Sequence, residues 1–168
     1  FARFEERCKE VERARVIYRH AVEHCETAGI DTVELKAEFL TFEKRNGSRS
    51  EIDDAIVDNR RQQYERTLAE DEFNYDTWFD YVRLEESEGD FERTRGVYGR
   101  AVAQVPPVLE KRFWKRYIYL WINWFLFEEL QTKDVEAARQ AYRTCLFKVI
   151  PHRSFTFGKI WIMAAEFE

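Results

Sequence analysis

Residues 78–106 read WFDYVRLEESEGDFERTRGVYGRAVAQVP, and two patterns inside this stretch decide the fold. The first is Trp78-x-x-Tyr81-x-x-Leu84-Glu85, and the second is Arg95-x-x-Tyr98-x-x-Ala101-Val102. Steps of three and four residues place each set on one side of a helix. Glu88-Gly89-Asp90 breaks the chain between them, and Pro106 closes the second. The stretch reads as two amphipathic helices joined by a tight turn.

Both patterns return along the chain. The first recurs as Trp121-x-x-Trp124-x-x-Phe127-Glu128 and Trp161-x-x-Ala164-x-x-Phe167-Glu168, and in weaker form as Phe39-x-x-Phe42-Glu43 and Phe1-x-x-Phe4-Glu5. The second recurs as Arg15/Tyr18, Arg61/Tyr64 and Arg139/Tyr142. Small residues (Ala21, Thr67, Ala101, Cys145) follow each Tyr by three positions, and an aliphatic residue comes next. The motif glutamates fall 38, 42, 43 and 40 residues apart. Two patterns alternating in fixed order at such intervals mark an internal repeat.

A single helix pair cannot bury both of its apolar faces, and stacking the next pair closes the core. The predicted fold is therefore all-α, a right-handed α-solenoid of antiparallel helix pairs. Helices are predicted over 2–8, 11–27, 31–46, 50–70, 74–88, 91–104, 108–131, 134–149 and 154–168. The whole of 1–168 reads as one array, with repeats over 1–30, 31–73, 74–107, 108–151 and a partial 152–168. Repeat two departs from the pattern. It has Lys36 where Trp is expected, and Gly47 to Asp58 read as an insertion between its helices. Repeat five has Ala164 in an aromatic position.

The recurring charges carry a further expectation. Glu85 with Arg95, and Glu128 with Arg139, are predicted to bridge the two helices of one repeat, because a guanidinium and a carboxylate pair bidentately at the rim of a core. The chain also begins inside one motif and stops at the glutamate of another. It is expected to be a piece of a longer protein, continuing at both ends, whose isolated form exposes an apolar terminal face and self-associates.

Composition narrows the function. Lys and Arg number 27 against 32 Asp and Glu, a net charge of −5, so bulk attraction to nucleic acid or to an anionic membrane is not expected. Six Gly and three Pro are too few for a many-stranded β fold. Cys8, Cys25 and Cys145 lie far apart in an odd count, which suits reduced thiols in the cytosol or nucleus. The most apolar run, 117–127, is too short to span a bilayer.

Candidate sites are few. His20 and His24 stand four apart, a spacing that suits a metal on one helical face. His20, however, occupies a repeat position filled elsewhere by Arg66, Arg100 and Thr144, which favours a solvated surface and no metal. The motif Glu and Arg recur once per repeat, as architecture does; a catalytic constellation needs one site. No catalytic residue, cofactor or small-molecule substrate is expected. Lys111-Arg112-Phe113-Trp114-Lys115-Arg116 interleaves four cations with two aromatics. Such a cluster suits single-stranded RNA or an acidic partner, and its ordinary reading is a solvated basic face with the rings turned toward the core. Lys111, Arg112, Lys115 and Arg116 are the candidate contact residues.

The doublet Trp-x-x-Tyr-x-x-Leu-Glu, then Arg-x-x-Tyr-x-x-Ala-Val and the closing Pro106, resembles the HAT (half-a-TPR) repeat. The resemblance covers essentially the whole chain, and it implies a role in RNA processing. Within that class, residues 4–15, 75–81 and 117–123 resemble the crooked-neck family of splicing factors. This implies a nuclear scaffold for protein–protein assembly in pre-mRNA splicing, within the spliceosome-activating Nineteen complex and with other spliceosomal proteins as partners. The alternative is an RNA-binding module that uses the cluster near 111–116.

Overall fold

The computed structural model describes residues 1–168, the side chains of Arg49 and Ser50 excepted. Among the described residues there is no β-strand, and nine helices follow one another. They are α1 (Ala2–Arg7), α2 (Val11–Thr27), α3 (Val33–Asn46), α4 (Arg49–Glu70), α5 (Tyr75–Glu88), α6 (Phe91–Ala103), α7 (Lys111–Leu126), α8 (Val135–Thr144) and α9 (Gly158–Phe167). α7 runs on into a π-helical segment, Phe127–Thr132, and α8 into another, Cys145–Val149. The chain forms two compact units, Phe1–Arg66 and Thr67–Glu168, with the boundary inside α4. No helix among the described residues is long and apolar enough to cross a membrane.

Local chemistry starts and stops these helices where the punctuation predicts. Asn74, Asp90 and Asp134 cap α5, α6 and α8, each side chain accepting from a backbone N–H three residues on. Gly89 ends α5 at φ +76, a left-handed turn that costs glycine nothing. Two starts fall later than the periodicity suggests. α7 begins at Lys111, not 108, because Trp114 Nε1 donates to the Val108 carbonyl at 2.9 Å and holds that residue outside the helix. α9 begins at Gly158, not 154, because Ser154 and Phe155 turn back onto the Pro151 carbonyl.

The insertion in repeat two is not a longer connector. The extra residues lengthen α4, which starts directly after Gly47-Ser48. A reciprocal cap sets that start: the Glu51 N–H donates to Ser48 Oγ at 3.4 Å, and the Glu51 carboxylate accepts from the Ser48 N–H at 2.7 Å. Gly47 leaves no room for a side chain, since a Cβ there would stand 2.3 Å from Glu43 Oε2.

Unit by unit, neighbouring helices run antiparallel. In the first unit Gln62, late in α4, donates to Thr32 at the start of α3 at 2.9 Å. In the second unit Tyr75, which opens α5, donates to the Gln104 carbonyl at the end of α6 at 2.8 Å. The repeat aromatics fill the space between helices. Tyr18 packs with Phe39 and Phe42, Tyr98 stacks on Trp124 at 5.8 Å, and Phe125 stacks on Tyr142 at 4.0 Å. Ala101 and Cys145, at the small-residue position, are fully buried. The Cys145 thiol is pushed far up by burial.

The recurring Arg and Glu do pair, but across repeats and not within them. Arg95 forks onto Glu128, not Glu85, with Nε and Nη2 donating at 2.9 and 2.8 Å. Arg139 forks onto Glu168, not Glu128, at 2.7 and 3.1 Å. Arg15 forks onto Glu43 at 2.8 and 3.2 Å. Each arginine therefore reaches the motif glutamate of the following repeat. Its remaining nitrogen, Nη1, takes an acid one turn earlier on its own helix: Glu12, Glu92 or Glu136. An acid at the start of the next repeat's second helix completes two of the three clamps, Glu51 for Arg15 and Asp134 for Arg95.

The contact within a repeat belongs to the tyrosine. Tyr98 donates to Glu86 and Tyr142 to Glu129, both at 2.7 Å and both onto the residue just after a motif glutamate. In the fourth repeat these residues open the π turn at 127–132. Phe127 and Glu128 are both about 1% exposed, while the next residue, Glu129, still reaches Tyr142.

Burial by itself would raise the Glu128 carboxyl, but hydrogen bonds from Arg95, Thr132 and Trp124 outweigh it and hold it below its ordinary 4.5. A carboxyl whose pKa is lower folded than unfolded stabilises the fold above its unfolded pKa, and loses that contribution as pH falls through the folded value. Unfolding free energy should therefore drop as pH falls below 4.5, and Glu128→Gln should flatten the slope, as read by denaturant titration across pH. At pH 7, Arg15→Ala strands the buried Glu43 and should cost about 3 kcal/mol or more. Arg139→Ala, whose partner Glu168 is half exposed, should cost clearly less in the same measurement.

Candidate interaction surface

The basic cluster forms the exposed end of α7. Its first turn carries Lys111 and Arg112 and no acid, and Glu110, at the N-cap position, makes no side-chain cap. That charge placement opposes the helix dipole, so local helix energetics do not explain it. The structure brings all four sequence-predicted cations to this one stretch of surface, where Lys111, Arg112, Lys115 and Arg116 are each exposed. The two aromatics part company. Trp114 is 1% exposed and packs edge-on against Tyr117 and Phe155, whereas Phe113 is 47% exposed.

Three of the cations already have partners in their own unit. Lys111 sits 5.3 Å over the Phe157 ring. Arg112 lies 4.7 Å over Phe113 and pairs with Glu110 at 2.7 Å. Arg116 pairs with Asp76 and lies 5.5 Å over Phe79. The ion pairs join exposed groups, so they hold little free energy and open easily to a partner. Beside the cations the loop before α7 exposes Val108 and Leu109, at 43% and 62%. Sequence periodicity missed this apolar flank, because it lies between helices.

Other concave surfaces offer no assembled chemistry. A groove of about 700 Å³ runs between α1 and α3, and one of about 470 Å³ between α5 and α7. Their charges pair across the walls, Arg3 with Glu38, Arg45 with Glu6 at 3.9 Å and Arg116 with Asp76, while Arg83 pairs with Asp80 along α5 at 3.6 Å. His20 and His24 stack at 6.2 Å on an exposed face. Among the described residues no group of three or more His, Cys, Asp or Glu side chains is placed to hold a metal.

Repeats of this kind diverge in sequence while keeping their packing, so relatives identify the lineage better than the motif does. Over all 168 residues the chain is 53% identical to pre-mRNA-splicing factor CLF1 of Paracoccidioides brasiliensis. It is 51% identical over the same span to protein crooked neck of Drosophila melanogaster. The chain belongs to the crooked neck/CLF1 family. Human crooked neck-like protein 1 matches at 54% over 138 residues, 82% of the chain and 16% of that protein. No protein-family model matches the chain. The chain spans 24% of the length of the fungal and fly family members, about a quarter.

Within this stretch buried and exposed side chains should separate by role. Trp114→Ala removes a fully buried ring together with its bond to Val108, and should cost about 3–5 kcal/mol in denaturant unfolding. Lys115→Glu changes only an exposed side chain and should stay within about 0.5 kcal/mol of the parent.

Proposed function

We propose that this segment is part of a nuclear scaffold for protein–protein assembly in pre-mRNA splicing, not an enzyme. The observation that carries this reading is the identity of 53% over every residue to a protein named as a pre-mRNA-splicing factor. The internal chemistry supports it. The recurring motif charges are spent on joining helices, in buried or part-buried pairs at Arg15–Glu43 and Arg95–Glu128 and a more exposed one at Arg139–Glu168. A scaffold needs a stiff frame with varied surfaces, and within each unit repeats locked to their neighbours supply one.

We read 1–168 as a single HAT array, with repeats over 1–30, 31–73, 74–107, 108–151 and 152–168, inside a longer protein. The family resemblance points to the spliceosome-activating Nineteen complex as the assembly it serves, with other spliceosomal proteins as its partners. The segment takes no cofactor or small-molecule substrate in this reading.

Nuclease treatment separates protein assembly from RNA tethering. Tagged full-length protein, purified from nuclear extract after exhaustive nuclease digestion, should still carry splicing proteins in near-stoichiometric amounts. Release of all of them on digestion would mean that RNA holds the assembly together, and the scaffold reading would fall.

A further inference from the structure

We propose that the exposed start of α7 is a docking site for an acidic, apolar segment of a partner protein. This rests on the scaffold reading and names the chemistry of one partner. The site combines two surfaces that rarely coincide without use. Val108, Leu109 and Phe113 are 43%, 62% and 47% exposed, three large apolar side chains within six residues. Lys111, Arg112 and Lys115 alternate with them, and Glu110 is the one acid among 108–116.

Charge complementarity fixes the occupant. The chain as a whole carries 32 acidic residues against 27 basic, yet residues 111–116 hold four cations and no acid. This local inversion attracts a negatively charged segment. The apolar side chains then require that segment to bring apolar groups of its own, since burying them together excludes water and contributes most of the affinity. The pairs at Arg112–Glu110 and Arg116–Asp76 keep the cations ordered in the free protein while holding them weakly.

RNA fits the same place less well. Stacking platforms for bases are few: Trp114 is 1% exposed, and the Arg112 guanidinium occupies one face of the Phe113 ring at 4.7 Å. The remaining apolar groups, Val108 and Leu109, are aliphatic and offer no π face to a base. Four cations without stacking would give only salt-sensitive, sequence-blind attraction.

Site-specific photo-crosslinking tests the assignment in full-length protein. The photoreactive p-benzoylphenylalanine replaces Leu109, which is exposed enough that the fold does not depend on it. The protein is assembled in nuclear extract, irradiated, and the joined peptides are sequenced by mass spectrometry. The expected product is a segment of another protein that is net acidic and carries aliphatic or aromatic side chains. Its yield should fall about tenfold when Lys111, Arg112 and Lys115 are all changed to Glu, as three weakened ion pairs imply. A nuclease-sensitive crosslink to RNA would overturn the proposal in favour of a nucleic-acid site. A crosslink to this chain itself, a crosslink indifferent to charge reversal, or no crosslink at all would overturn it outright. Nuclease-resistant co-purification of the parent protein is read separately, so loss of this site and loss of the scaffold reading give different results.

Discussion

The frame depends on one interaction, the fork between an arginine on the second helix of a repeat and the glutamate closing the first helix of the next. The same atoms make it three times: Nε and Nη2 on the two carboxylate oxygens, with Nη1 turned back to an acid on the arginine's own helix. A guanidinium has the planar donor geometry for this and an ammonium does not. Two of the forked carboxylates, Glu43 and Glu128, are about 1% exposed, so leaving either without its donors is costly. Glu128 has four, two from Arg95 and one each from Trp124 and Thr132.

This constraint propagates. Because the fork reaches forward, it registers repeat one against two, three against four and four against five by a directional contact, while the tyrosine–glutamate bonds at Tyr98 and Tyr142 register the two helices within a repeat. Gly47 belongs to the same logic, since a side chain there would collide with the carboxylate that Arg15 holds. Aromatic packing supplies the bulk of the burial and the forks supply direction. Apolar contact alone tolerates sliding, whereas a bidentate pair fixes one alignment.

The surface follows from what the frame consumes. Glu43, Glu85, Glu128 and Arg15 are taken up inside, and many remaining charges pair along or across helices. The start of α7 stands apart because its cations face outward next to unburied aliphatic side chains.

The sequence by itself determined the repeat, the helix pairs, most helix boundaries and much of the core, though the motif residues Phe1, Phe4 and Trp161 stay exposed. These are local properties: 3.6-residue periodicity, caps at Asn74, Asp90 and Asp134, and breakers such as Gly89 act within one or two turns. Tertiary structure alone decided which glutamate each arginine meets. A second helix lies between two antiparallel neighbours, and both deliver a glutamate close to its start, so spacing along the chain cannot distinguish Glu85 from Glu128 as the partner of Arg95. Only the rotation of the packed helix does. The π turns after α7 and α8 were illegible too, since no residue type in either segment signals them and α5 buries the corresponding Leu84 and Glu85 in an ordinary α-helix. The basic cluster was visible as a string of residues, but its separation into buried Trp114 and exposed Phe113 required the loop before α7 to be held at Val108.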